Sequence, residues 1–136
     1  MLFQKILKYR KFQRLRGNQG KTASRGTTLA FGSAGLQAED SSEINSRQIE
    51  AARKAITRFV QKGGKLWIRI FPDKPVTAKP PEVGMGKGKG DPDKYVADVG
   101  RGRILFEVDG ISEADARTAL RRAGAKLPIR TKVVMR

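Results

Sequence analysis

The chain has 136 residues, with 29 Lys and Arg against 13 Asp and Glu, a formal net charge of +16 and 38 % apolar residues. That is one domain's length with material for a thin core only. It contains no cysteine and no histidine, which excludes disulfides, thiolate nucleophiles and zinc–cysteine centres, and also the commonest general base and transition-metal ligand.

The apolar runs are only a few residues long, far short of the ~20 that span a bilayer. Met1–Lys11 lacks the apolar stretch of a signal peptide. The expectation is a soluble intracellular protein. A charge this positive calls for an anionic partner, with nucleic acid first and an anionic membrane surface second.

Taken in order, Met1–Arg16 is basic with interleaved Phe3, Ile6, Leu7, Tyr9, Phe12 and Leu15, and Gly17, Asn18 and Gly20 break it. Lys21–Ala38 carries Gly26, Gly32 and Gly35 around Thr27, Thr28, Leu29 and Phe31, which suggests one or two short bent strands. Glu39–Glu43 reads as an acidic, serine-containing loop. A helix starts after Asn45, whose side chain can accept from the first turn while Gln48 reaches back. Its apolar stripe is Ile49, Ala52, Ile56, Phe59 and Val60, and Gly63 and Gly64 are expected to end it.

Lys65–Phe71 reads as a strand, with Leu66, Ile68 and Ile70 on one face and Trp67, Arg69 and Phe71 on the other. Pro72, Pro75, Pro80 and Pro81 then bar a central strand. Gly84–Gly90 has glycine at every second position and reads as a flexible loop. Strands are expected over Tyr95–Val99 and Arg103–Val108, around a Gly-Arg-Gly turn. A second helix follows, capped by Ser112 with Asp115 three residues on and closed by Gly124. Pro128–Val134 is a candidate last strand. The fold class is therefore α+β, a mostly antiparallel sheet with two packed helices.

The charge is unevenly placed. Lys5, Lys8, Arg10, Lys11, Arg14, Arg16, Lys21 and Arg25 stand without an acid before Glu39, and Arg117, Arg121, Arg122, Lys126, Arg130, Lys132 and Arg136 stand without one after Asp115. A merely solvated surface mixes both signs, so acid-free ends with apolar residues among the cations point to phosphate binding rather than to disordered tails. Gly84–Asp91 fails as a nucleotide-binding loop: no Ser or Thr follows Lys87 or Lys89, and prolines flank it. It suits a mobile finger that brings backbone and two point charges close to phosphates. The carboxylates Asp73, Glu82, Asp91, Asp93, Asp98, Glu107 and Asp109 form no acid/base couple and read as local charge balance. Trp67, Phe71, Phe31 and Tyr95 are candidates for base stacking, with core packing the expected role of most of them.

Ser46–Val83 (SRQIEAARKAITRFVQKGGKLWIRIFPDKPVTAKPPEV), followed by MGKGKG at Met85–Gly90, resembles the bacterial large-subunit ribosomal protein sixteen family, whose archaeal and eukaryotic counterpart is the ten-e family. The opening Met-Leu with Lys8–Lys11, Arg25-Gly26, Phe31-Gly32, Gly35-Leu36 and Lys126–Thr131 fits in register, so the likeness runs through essentially the whole chain. It implies a hammerhead-type α+β fold and a structural, non-enzymatic role in the large subunit, without cofactor or metal. The implied partners are large-subunit ribosomal RNA, tRNA and neighbouring ribosomal proteins, with no membrane. The family helps shape the aminoacyl-tRNA docking site and joins late in assembly.

By matching positions, Lys8, Arg10, Lys11 and Arg16 would contact ribosomal RNA, and Met85, Gly86, Lys87, Gly88, Lys89 and Gly90 would lie near tRNA. The full set expected to bind RNA is Lys5, Lys8, Arg10, Lys11, Arg14, Arg16, Arg25, Arg47, Arg53, Lys65, Arg69, Lys74, Lys126 and Arg130. Residues 1–26 are expected as a basic RNA-binding extension and 27–136 as the domain, with a mobile loop at 79–94. The chain departs from the family at Gly84, where arginine is usual, at Gln4 and Ile6, and at Glu39, Asp40 and Glu43, where a Gly/Arg-rich stretch is usual. The expected location is a cytoplasmic, bacterial-type ribosome, with an organellar one as the alternative. The rival functions are an RNA-modifying enzyme and a basic membrane-surface protein using Leu2, Phe3, Ile6, Leu7 and Tyr9.

Overall fold

In the computed structural model, residues 22–60, 63–78 and 91–136 are described. The expected N-terminal contacts Lys5 to Arg16 and the segment Met85–Gly90 lie outside them.

Seven strands and two helices follow one another as β1 (Ala34–Ala38), β2 (Ser42–Asn45), α1 (Ser46–Thr57), β3 (Lys65–Ile68), β4 (Lys74–Ala78), β5 (Asp91–Val99), β6 (Ile104–Asp109), α2 (Glu113–Gly124) and β7 (Thr131–Met135). They form a four-stranded sheet in the order β3-β6-β1-β7 and a three-stranded sheet in the order β2-β5-β4, and the paired strands are antiparallel. The class is α+β, as the alternating signals in the sequence required.

Both helices start where hydrogen-bonding chemistry dictates. The Asn45 side chain accepts from the Gln48 amide at 2.8 Å, and the Gln48 side chain accepts from the Asn45 amide at 3.0 Å. Two amides that the helix cannot satisfy are thus paired with each other's side chains. Ser112 does half as much for α2, accepting from the Asp115 amide at 3.2 Å. Asn45→Ala should lower the unfolding free energy by about 1 kcal/mol, read by urea denaturation; an unchanged midpoint would show that the cap contributes nothing in solution.

The helices pack on each other, α1 also against β2, β3 and β5, and α2 also against β1, β6 and β7. Ile49, Ala52 and Ile56 of α1 and Ala116, Ala119, Leu120 and Ala123 of α2 meet Leu36, Leu105, Phe106 and Val108 of the sheet in one core. Small alanines on both helices let the axes approach and make a thin core sufficient. β6 is buried from Ile104 to Val108 because both its faces are covered. The helices cover one face. The other lies under residues 23–33, where the Ile104 amide donates to the Gly26 carbonyl and the Ser33 amide to the Val108 carbonyl. A bulge opposite Leu36/Gln37 brings the consecutive residues Leu105 and Phe106 both into the core, which strict alternation would forbid.

Several boundaries differ from the sequence reading. α1 ends at Thr57 with Arg58 as its cap, short of Phe59, Val60 and the glycines. There the Thr57 hydroxyl donates to the Lys54 carbonyl, and the amides of Phe59 and Val60 both donate to the Ile56 carbonyl, closing a final turn. The first strand is the single β1, and the glycine-rich stretch before it is a cover rather than a strand. The Glu39–Glu43 loop is cut short by β2, because the fully buried Ile44 and pairing with Val96–Val99 override polar composition. β3 stops at Ile68, short of Phe71. β4 lies at a sheet edge, where Pro75 removes no ladder bond that a central position would need. β5 begins at Asp91, inside the segment expected as a loop. β7 is Thr131–Met135, shifted toward the C-terminus.

Candidate nucleic-acid interface

The outer face of the four-stranded sheet holds a feature that the sequence did not announce. Glu107 is fully buried. One carboxylate oxygen accepts from the amides of Ala30, Phe31 and Gly32, each at 3.0 Å, and the other is ion-paired to the Arg69 guanidinium. Burial pushes this carboxyl up, but the Gly32 and Phe31 amides, Arg69 and the Ala30 amide together hold it below the usual glutamate range. The carboxylate is a folded-in anchor for the 30–32 turn. Gly32 is obligatory in that turn: a side chain there would meet the Val108 carbonyl oxygen at 2.5 Å.

Arg69 is therefore spent inside the domain. Its guanidinium also reaches the Thr28 carbonyl at 3.5 Å and lies 5.1 Å from the Phe31 ring centre, a cation–π distance. Phe31 stacks on Trp67, with ring centres 5.9 Å apart. The aromatic residues are not core: Phe31 is 54 % and Phe71 46 % exposed, and Trp67 and Tyr95 are half-buried. Over Phe31 and Trp67 the cover of this sheet face is a single glycine-bearing segment, too thin to bury rings of that size.

The other expected RNA-binding residues fall into two groups. Lys74 is paired with Glu43 at 2.9 Å and lies 4.0 Å from Asp98, across all three strands of the smaller sheet. Arg53 is paired with Glu50 one helical turn away. Arg130 makes a two-pronged contact with Asp40, both hydrogen bonds at 3.1 Å. These side-chain hydrogen bonds hold the carboxyls of Asp40 and Glu50 below their usual range. Asp40 and Glu43, from the stretch that reads as an acidic loop, thus have defined uses, closing over Arg130 and Lys74.

In the second group, Arg25, Arg47, Lys65 and Lys126 are exposed and make no ion pair among the described residues. Lys65 stands opposite Asp109 in the β3–β6 register. These four cations are spread over several elements rather than gathered around one pocket.

Sequence reasoning missed Glu107 and underrated three cations. Arg117, paired with Glu113 at 3.1 Å, lines an open cleft between α2 and β7 together with Arg121 and Lys132. Glu107 did carry a signal, as the single charge within the otherwise apolar run Ile104–Val108. Among the described residues no group of three His, Cys, Asp or Glu side chains is placed to hold a metal ion, and no helix is long and apolar enough to cross a membrane.

The protein so built is a basic α+β scaffold. Asp40, Glu43, Glu50, Asp98, Glu107 and Glu113 are committed to ion pairs within the domain, and a surplus of cations is left outward. The sequence matches the family described as ribosomal protein L16p/L10e over residues 4–134. The chain belongs to that family and is a structural protein of the large ribosomal subunit.

Proposed function

We propose that the chain binds large-subunit ribosomal RNA chiefly by neutralising phosphates, helps form the docking site of aminoacyl-tRNA, supports late subunit assembly and performs no catalysis. The observation that carries this reading is the family match over residues 4–134 in a chain of net charge +16 in which Asp40, Glu43, Glu50, Asp98, Glu107 and Glu113 are turned to internal pairing. Lysine and arginine release condensed counterions from RNA, and the gain is indifferent to sequence. Structured RNA is accordingly read by shape. Arg25, Arg47, Lys65 and Lys126 supply contacts from the described domain, and Lys5, Lys8, Arg10, Lys11, Arg14 and Arg16 supply them from the basic start. Arg130 would reach phosphate by exchanging the exposed Asp40 carboxylate for it, a change of small cost because exposed pairs contribute little. Arg53 would do the same from its half-exposed pair with Glu50, whereas Lys74, largely covered together with Glu43, would have to leave a more sheltered pair. Arg69 is better regarded as holding the sheet face together. The ribosome concerned is a cytoplasmic one of bacterial type, with an organellar ribosome as the alternative.

Sedimentation of a lysate through a sucrose gradient tests the reading. The protein should travel with the large subunit and leave it at high salt; protein remaining at the top of a low-salt gradient would sink the proposal. For the Met85–Gly90 segment, ribosomes carrying Lys87→Ala and Lys89→Ala together should bind aminoacyl-tRNA more weakly while the protein still assembles. Unaltered tRNA binding would remove the segment from the docking site.

A further inference from the structure

Between the C-terminal half of α2 and the start of β7 lies an open cleft of about 560 Å³. Four cations line it, Arg117, Arg121, Arg130 and Lys132, against one acid, Glu39. Two of these cations are held at the rim by exposed carboxylates, Arg117 by Glu113 and Arg130 by Asp40. Arg121 and Lys132 are exposed and have no acidic partner among the described residues.

The packing itself gathers these charges. Gly124 closes α2 hard against β7: a side chain there would meet the Thr131 hydroxyl oxygen at 2.3 Å. That approach sets Arg117 and Arg121, one helical turn apart, beside Lys132 on the adjoining strand. Both walls are rigid, since α2 is anchored by Ala116, Ala119, Leu120 and Ala123 and β7 pairs with β1 from Met135 to Thr131. The end of α2 contributes partial negative charge, so an anion held here is held by the side chains and not by the helix.

We infer that this cleft seats the phosphodiester backbone of ribosomal RNA, with Arg121 and Lys132 as its free phosphate ligands and Arg117 and Arg130 as flanking ones. The inference rests on the ribosomal RNA reading above and adds a particular site to it. The cleft's size, within the ~300–1,000 Å³ of ligand sites, exceeds one phosphate group, and its open mouth suits a strand running through. A guanidinium grips two phosphate oxygens at once, whereas the ammonium acts as a point charge.

The test is filter binding of the full chain to protein-free large-subunit ribosomal RNA over a salt series. Each phosphate contact contributes roughly 0.7–0.9 to the slope of log K against log salt. Arg121→Ala with Lys132→Ala should make the slope shallower by about 1.5, which is about thirty-fold weaker binding at 0.1 M salt. Lys54→Ala with Lys94→Ala removes the same charge from exposed positions outside the cleft and should leave the slope close to the parent's. Thermal unfolding is followed in parallel, and if the alanine pair unfolds early the glutamine pair replaces it. Equal slopes for parent and cleft variant, or equal loss in both double variants, would overturn the cleft as a site. A parent protein with no salt-dependent RNA binding would instead overturn the ribosomal RNA reading on which the cleft depends.

Discussion

Glu107→Gln is expected to lower the unfolding free energy by about 3–5 kcal/mol at neutral pH, the usual cost of removing one partner from a buried ion pair. The substitution keeps the side-chain volume and the oxygen that accepts from Ala30, Phe31 and Gly32. It turns an amide NH₂ toward Arg69, donor against donor, and leaves a guanidinium that is only 19 % exposed without its counter-charge. Arg69→Met added to Glu107→Gln should recover part of the loss, since a well-packed apolar replacement of a buried pair is often near neutral. Urea denaturation of the two variants checks both statements; a loss below about 1 kcal/mol for Glu107→Gln would mean that the pair contributes little in solution.

The same group predicts the acid limb of stability. Its carboxyl is held below the ordinary range in the folded protein, so the unfolded chain binds a proton first as pH falls. The stability it contributes is fully present above the unfolded value of about 4.3 and is lost as pH drops through the lower folded one. Asp40 and Glu50 shift in the same direction through Arg130 and Arg53, but they lie at the surface, where solvent screens the effect. Unfolding free energy should therefore be nearly level from about pH 5 upward and fall below about pH 4. The fall should be shallower in Glu107→Gln; an identical acid limb in both proteins would show that other carboxylates govern it.

What the sequence disclosed and what it withheld follow from range. The caps of α1 and α2 involve residues three positions apart, and Asn45, Gln48, Ser112 and Asp115 could be read directly. So could the apolar stripes, since helical spacing depends only on neighbours. The Glu107 anchor joins residues 75 to 77 positions apart, and Asp40 meets Arg130 across 90. A lone acid in the apolar run Ile104–Val108 marks an oddity, but nothing local names the amides and the guanidinium that receive it. That is also why Arg69 passed for a surface cation, and why the rings of Phe31 and Phe71 passed for core. The cleft was half legible: the acid-free run after Asp115 marked its cations, but only the antiparallel return of β7 beside α2 sets Lys132 next to Arg121.

Affinity for large-subunit RNA is expected to fall about a thousand-fold between 50 mM and 200 mM salt. With about six phosphates neutralised, log K should drop with log salt at a slope of roughly −4 to −5, and a four-fold rise in salt then removes about three powers of ten. The figure holds where the cations that touch RNA act additively, as charges far from one another on a rigid scaffold do. The rival functions are told apart by separate readouts. An enzyme acting on RNA would neutralise phosphates too, and turnover of a methyl donor or nucleotide by the purified protein is what would reveal it. A membrane-surface protein would owe much of its affinity to buried apolar side chains, which high salt does not weaken. A slope shallower than about −2, or binding to anionic vesicles that survives 1 M salt, would show that phosphate neutralisation is not what holds this protein to its partner.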